Sequence, residues 1–172
     1  MKLTRSNLSP DQLRVYESML DWVRTPNSPL LTIGGYAGTG KTTVLGLFAA
    51  ETDLRVAYIC FTGRASSVLS RKLNASGVST TNRVCTDDYE KLTGQWGHLF
   101  YAADSAEADK PCSGTIHRLL YRPFIDSVTE ELLGWEKRLE LDRNYDLVVI
   151  DEASMCDARI VEDIQKHGVR IM

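Results

Sequence analysis

A short stretch near the front of the chain carries groups that can hold a phosphate chain. Gly35-x-x-x-x-Gly40-Lys41-Thr42 is a full match to the Walker A pattern. Glycines let the main chain curl until successive N–H groups point at one anion. A helix that follows adds the positive end of its dipole. The Lys41 ammonium can reach β- and γ-phosphates, and the Thr42 hydroxyl can ligate Mg2+, a hard ion that prefers oxygen. Much later, the apolar run Leu147-Val148-Val149-Ile150 ends in Asp151-Glu152. Acids at the end of a buried parallel strand stand at the carboxyl edge of the sheet, where open α/β folds bind ligands. There Asp151 can hold the Mg2+ shell, and Glu152 can orient and deprotonate an attacking water.

Both groups need strands and helices to position them. Leu30–Ile33 reads as a buried strand running into the glycine loop, and Val44–Ala50 reads as the helix leaving it. Upstream, Ser9-Pro10-Asp11-Gln12 has the residues of a helix start, and Leu13, Tyr16, Met19, Leu20 and Val23 then recur at helical spacing. Arg55–Phe61 is a second strand, broken at Thr62-Gly63 and followed by a helix with Val68, Leu69 and Leu73 on its apolar side. Thr115–Tyr121 reads as a short helix, and 130–141 reads as a helix with apolar Leu132, Leu133, Trp135 and Leu139. Asp146–Ile150 is a third strand, 157–166 a helix, and Val169–Met172 the start of a fourth strand. Residues 74–114 are polar and weakly periodic, and 102–113 has the composition of a mobile surface loop. Strands alternating with helices, around the Walker A loop, predict an α/β fold with a mostly parallel sheet and helices on both faces.

Composition narrows the classes. The 172 residues carry 20 Lys and Arg against 23 Asp and Glu, a net charge of −3, which excludes binding to nucleic acid through bulk positive charge. A local basic groove stays open, with Arg64, Arg71 and Lys72 as its candidates or as a solvated face. No apolar run approaches the ~20 residues of a bilayer span, and the N-terminus has no apolar signal core. Cys60, Cys85, Cys112 and Cys156 form no CxxC pair, so they read as reduced thiols of a cytoplasmic protein. Cys85, His98, Cys112 and His117 do not match a common zinc spacing. Tyr36 reads as a packing residue in the loop, and Trp22, Trp96 and Trp135 as packing residues rather than base-stacking ones.

The segments Gly35-Tyr36-Ala37-Gly38-Thr39-Gly40-Lys41-Thr42 and Val149-Ile150-Asp151-Glu152-Ala153-Ser154-Met155 resemble motifs I and II of superfamily 1 DNA helicases, in particular the RecD-like and Dda-like branch. Three further segments follow the family's order. Leu8-Ser9-Pro10-Asp11-Gln12 resembles the Q motif, whose Gln amide reads adenine. Phe61-Thr62-Gly63-Arg64-Ala65 resembles motif Ia, and Gly114-Thr115-Ile116-His117-Arg118 resembles the T-x-H segment of motif Ib. Both of these contact single-stranded DNA in the family.

The resemblance implies ATP and Mg2+ as cofactors. It places Gln12, Gly35, Ala37, Gly38, Thr39, Gly40, Lys41, Thr42 and Thr43 at the nucleotide, Thr42 and Asp151 at the metal, and Lys41 and Glu152 in catalysis. It places Thr62, Gly63, Arg64, Thr115 and His117 at DNA, with single-stranded DNA and duplex junctions as partners. The family works through two RecA-like domains, the second supplying an arginine finger, and no membrane. The 172 residues are expected to be an incomplete first RecA-like domain, with 74–114 an insertion or mobile loop. Two other classes stay open: a different P-loop enzyme, such as a small kinase or a DNA-packaging ATPase, and a non-catalytic nucleotide-binding module.

Overall fold

A computed structural model describes residues 3–25, 27–80, 111–126, 128–129, 131–141 and 144–172. In chain order, helix α1 is Pro10–Arg24, α2 Lys41–Glu51, strand β1 Val56–Cys60, α3 Gly63–Ala75, β2 Cys112–Thr115 and α4 Ile116–Leu120. Then come β3 Tyr121–Ile125, β4 Leu132–Lys137, β5 Leu147–Asp151, α5 Ala158–Gln165 and β6 Arg170–Ile171. Four strands form one sheet in the order β2-β1-β5-β6, every pairing parallel.

Strand periodicity builds the layers. Val56, Tyr58 and Cys60 of β1 and Leu147 and Val149 of β5 join one buried cluster with Tyr16, Met19, Phe48, Leu69 and Leu73 of α1, α2 and α3. Ala57, Ile59, Val148 and Ile150 point the other way, into a second cluster with Ile116, Leu119 and Leu120 of α4 and Ile164 of α5. Successive strand residues face opposite sides, so a strand apolar throughout needs cover on both. This is the α/β architecture with helices on both faces that the sequence predicts.

Side chains fix the edges of this assembly. Ser9 caps α1, its hydroxyl accepting from Gln12 N–H while the Gln12 amide oxygen accepts from Ser9 N–H. Asp146 accepts from the Arg55 backbone N–H at 2.8 Å and from Arg55 Nε and Nη2 at 3.1 and 3.0 Å, which sets the start of β5 against the start of β1. These bonds hold the Asp146 carboxyl below the usual carboxylate range.

Three expectations are corrected. The strand expected over Leu30–Ile33 is a single parallel bridge from Leu30 to Ile171, because β6 offers only Arg170 and Ile171 for pairing. The loop expected over 102–113 gives way at Cys112 and Ser113 to β2, which pairs with β1 from Ala57↔Cys112 to Cys60↔Thr115; residues 81–110 lie outside the described residues. The helix expected over 130–141 is strand β4, antiparallel to β3 in a two-stranded hairpin. Gly134 weakens a helix there, and a turn closes the hairpin instead. The Asp126 carboxylate accepts from Val128 N–H and Thr129 N–H at 2.8 Å, and Asp126 N–H donates to Glu131 O at 2.9 Å. Arg122 and Glu136 pair across the strands at 2.8 Å.

Candidate functional site

The glycine loop is curled and internally bonded. Gly38 and Gly40 lie at φ +80° and +85°, a region that side chains with a Cβ rarely adopt. A Cβ on Gly40 would also stand 2.4 Å from Gln12 Nε2. Lys41 Nζ donates to Gly35 O at 2.6 Å and Tyr36 O at 3.0 Å, so the ammonium sits over the turn of the loop. Thr39 Oγ1 donates to Tyr36 O at 2.9 Å. Lys41 opens α2, and Thr42 and Thr43 occupy its first turn, where the positive end of the helix dipole favours an anion, although Thr43 N–H itself donates to Gly40 O at 2.9 Å. Tyr36 is 89% exposed and packs into no core, contrary to the expectation for it.

Gln12 is brought onto this loop. Its Nε2 donates to Thr39 O at 2.9 Å, and its Oε1 is taken by Ser9 N–H. One Nε2 hydrogen remains for a ligand. The amide therefore braces the loop, a role that the motif resemblance did not point to.

The acids stand at the opposite side of β6 from the loop. Leu30 bridges Ile171, and Ile171 pairs with Val148 of β5, all running parallel. The segment leading into the loop and the strand leading into Asp151 therefore point to the same sheet edge, two strand spacings or ~10 Å apart. Glu152 follows with φ +60° and ψ +43°, the only described non-glycine residue with positive φ. Such a backbone costs on the order of 1 kcal/mol and collects at functional turns. Here Met155 N–H donates to Glu152 O at 3.0 Å, in a 3-10 turn over Ala153–Met155.

The remaining expected residues gather at the same edge. Cys60 at the end of β1 pairs in register with Thr115 on one side and Asp151 on the other. Burial first, and then the Asp151 and Glu152 carboxylates, push the Cys60 thiol up to about 12. One turn beyond Cys60, the Thr62 hydroxyl accepts from Ala65 N–H at 3.2 Å and caps α3, with Gly63 and Arg64 exposed in its first turn. The Thr115 hydroxyl caps α4. His117 is exposed, its ring 5.4 Å from Phe61 edge-on and 6.1 Å from Tyr121 stacked. Arg64 has no ion-pair partner among the described residues. Cys112 donates its thiol to Tyr145 Oη at 3.0 Å inside the core. Trp22 is buried and donates to Ser28 O, Trp135 is half-exposed on the hairpin, and Trp96 lies outside the described residues.

These groups fit a magnesium-bound nucleoside triphosphate. The loop is too tight for a Cβ at Gly40, a cavity of about 480 Å3 opens from Gly38–Thr43, and the expected metal donors, Thr42 and Asp151, are oxygens. A search of curated proteins finds no match. A family model described as AAA domain matches residues 7–171. With nearly the whole length matched, the chain belongs to this AAA family of P-loop ATPases.

Proposed function

We propose that the chain is the ATP-hydrolysing part of a DNA helicase of superfamily 1, in the RecD-like branch. The observation that carries this reading is the register at Cys60. It aligns Thr115 and Asp151 at one sheet edge, with the turn at Thr62–Arg64 on the strand next to the acids and Thr115–His117 on the strand beyond it. A helicase needs its nucleotide and its DNA strand on neighbouring loops of one rigid sheet, so that hydrolysis at one can move the other.

In this reading the loop N–H groups and Lys41 bind the β- and γ-phosphates. The Thr42 hydroxyl and Asp151 hold Mg2+, which when bound neutralises charge developing on the phosphate oxygens. Glu152 takes a proton from water as the water oxygen bonds to the γ-phosphorus. The bond to the β-bridging oxygen breaks, giving ADP and phosphate. Hydroxyls and backbone N–H groups at Thr62, Gly63 and Thr115, with Arg64, suit the phosphates of a single strand, and the His117 ring suits a base or sugar. A second RecA-like domain would complete the cleft.

Two measurements test this. Lys41→Ala should abolish nucleotide binding, and Glu152→Gln should keep it while lowering turnover by ~100-fold or more. A fluorescent single-stranded oligonucleotide should bind with an affinity that falls with salt and falls again in Arg64→Ala. An oligonucleotide that does not bind at low salt would leave an ATPase without the helicase reading.

A further inference from the structure

The cavity that opens from the phosphate loop has a wall that the loop motif does not supply. Beside Gly38–Thr43 it is lined by Lys72, Ala75 and Ser76, the last turn of α3, and by Leu3. The helix end is fixed there by a close approach. Ser76 Oγ lies 2.5 Å from where a Cβ on Gly46 of α2 would stand, so a side chain at Gly46 would displace the Ser76 hydroxyl. Ser76 in turn is locked to Lys72, its hydroxyl and its backbone N–H both donating to Lys72 O at 3.1 Å. The main chain of Lys72 is thus held in place relative to the first turn of α2. Its ammonium has no ion-pair partner among the described residues.

We propose that Lys72 is a nucleotide-contacting residue that pairs with the α-phosphate. This rests on the nucleotide reading of the loop given above. Lys41 is bonded at the far turn of the loop, over Gly35 and Tyr36, and marks where the terminal phosphates lie. The cavity that would take the rest of the nucleotide is lined by Thr42 and Thr43 on the loop side and by Lys72 on the wall. An unpaired cation on that wall meets the phosphate nearest the sugar. A flexible ammonium serves this task, since a single phosphate oxygen asks for a point charge rather than a fork.

The test is calorimetric binding of ADP and ATP, each with Mg2+, to the 172-residue chain and to Lys72→Ala, Lys72→Arg and Lys41→Ala. Lys72→Ala should weaken ADP and ATP by the same factor, about five-fold at low salt and less as salt screens the pair. Lys72→Arg should recover most of the loss. Lys72 is exposed, so an unchanged thermal melt is expected, and Lys72→Glu, with a larger loss, provides a second variant should Ala perturb the helix end. Parent-like affinity in Lys72→Ala beside lost binding in Lys41→Ala would overturn the proposal and leave the site reading standing. A loss for ATP alone would assign Lys72 to the γ-phosphate and also overturn it. Parent-like binding in Lys41→Ala would remove the site reading and the proposal together.

Discussion

The parallel sheet and the β3–β4 hairpin treat apolar residues in opposite ways. All five residues of β1 are buried, as are the first four of β5. The hairpin leaves Phe124, Leu133 and Trp135 each more than half exposed. A parallel strand is covered by helices on both faces, whereas a two-stranded ribbon has too little surface to bury its own side chains. The hairpin is tied down at its base instead. Lys137 and Lys166 both pair with Asp163 of α5, which holds that carboxyl down to about 2, and Arg138 N–H donates to Leu120 O at 2.8 Å. The sheet therefore sets the geometry of the site, and the hairpin is an appendage joined to it by these polar links and by the packing of Tyr121 on the core at its base.

The contrast predicts unequal costs of truncation. Ile59→Ala, at a fully buried position of β1, should cost about 2–5 kcal/mol in urea unfolding. Trp135→Ala, half-exposed on the hairpin, should cost on the order of 1 kcal/mol or less. Equal losses would erase the distinction between scaffold and appendage. Gly40→Ala comes next. It should lower stability by about 1–2 kcal/mol through its left-handed backbone and displace Gln12, with a further drop in nucleotide affinity. An Ala variant that binds and melts like the parent would mean that the loop is looser than its internal bonds imply. The smallest effect concerns pH. The folded Asp146 carboxyl titrates below its unfolded value, so its contribution is present above about pH 4 and fades as pH falls below that. Asp146→Asn should therefore lower the melting temperature near neutral pH and converge on the parent in acid.

The sheet could be read from the sequence because its strands are continuous apolar runs ending in turn or acidic residues. Arg55–Phe61 and Asp146–Ile150 frame the observed β1 and β5 to within a residue or so. The loop, the cap at Ser9 and α5 could be read for the same kind of reason, each resting on local chemistry. The hairpin could not. Leu132, Trp135 and Leu139 satisfy a helical period, while Leu133 and Trp135 satisfy a strand's alternation, and the choice falls to a cross-strand partner and to the Asp126 turn. β2 was hidden for a related reason. Cys112-Ser113-Gly114-Thr115 has no strand character of its own and is made a strand by pairing with β1. The bracing of the loop by Gln12 and the meeting of Gly46 with Ser76 join residues remote in sequence, which no window of neighbours reveals.

The single bridge from Leu30 to Ile171 bears on how the protein comes into being. The segment that presents the phosphate loop gains its place at the sheet edge beside residues synthesised long after it, and those must themselves first dock on β5. Closing so long a span of chain carries an entropic cost that local helices avoid, which places this step late in folding. During synthesis, an emerging polypeptide that already contains the whole glycine motif should show no nucleotide protection until Arg170–Met172 clears the ribosome.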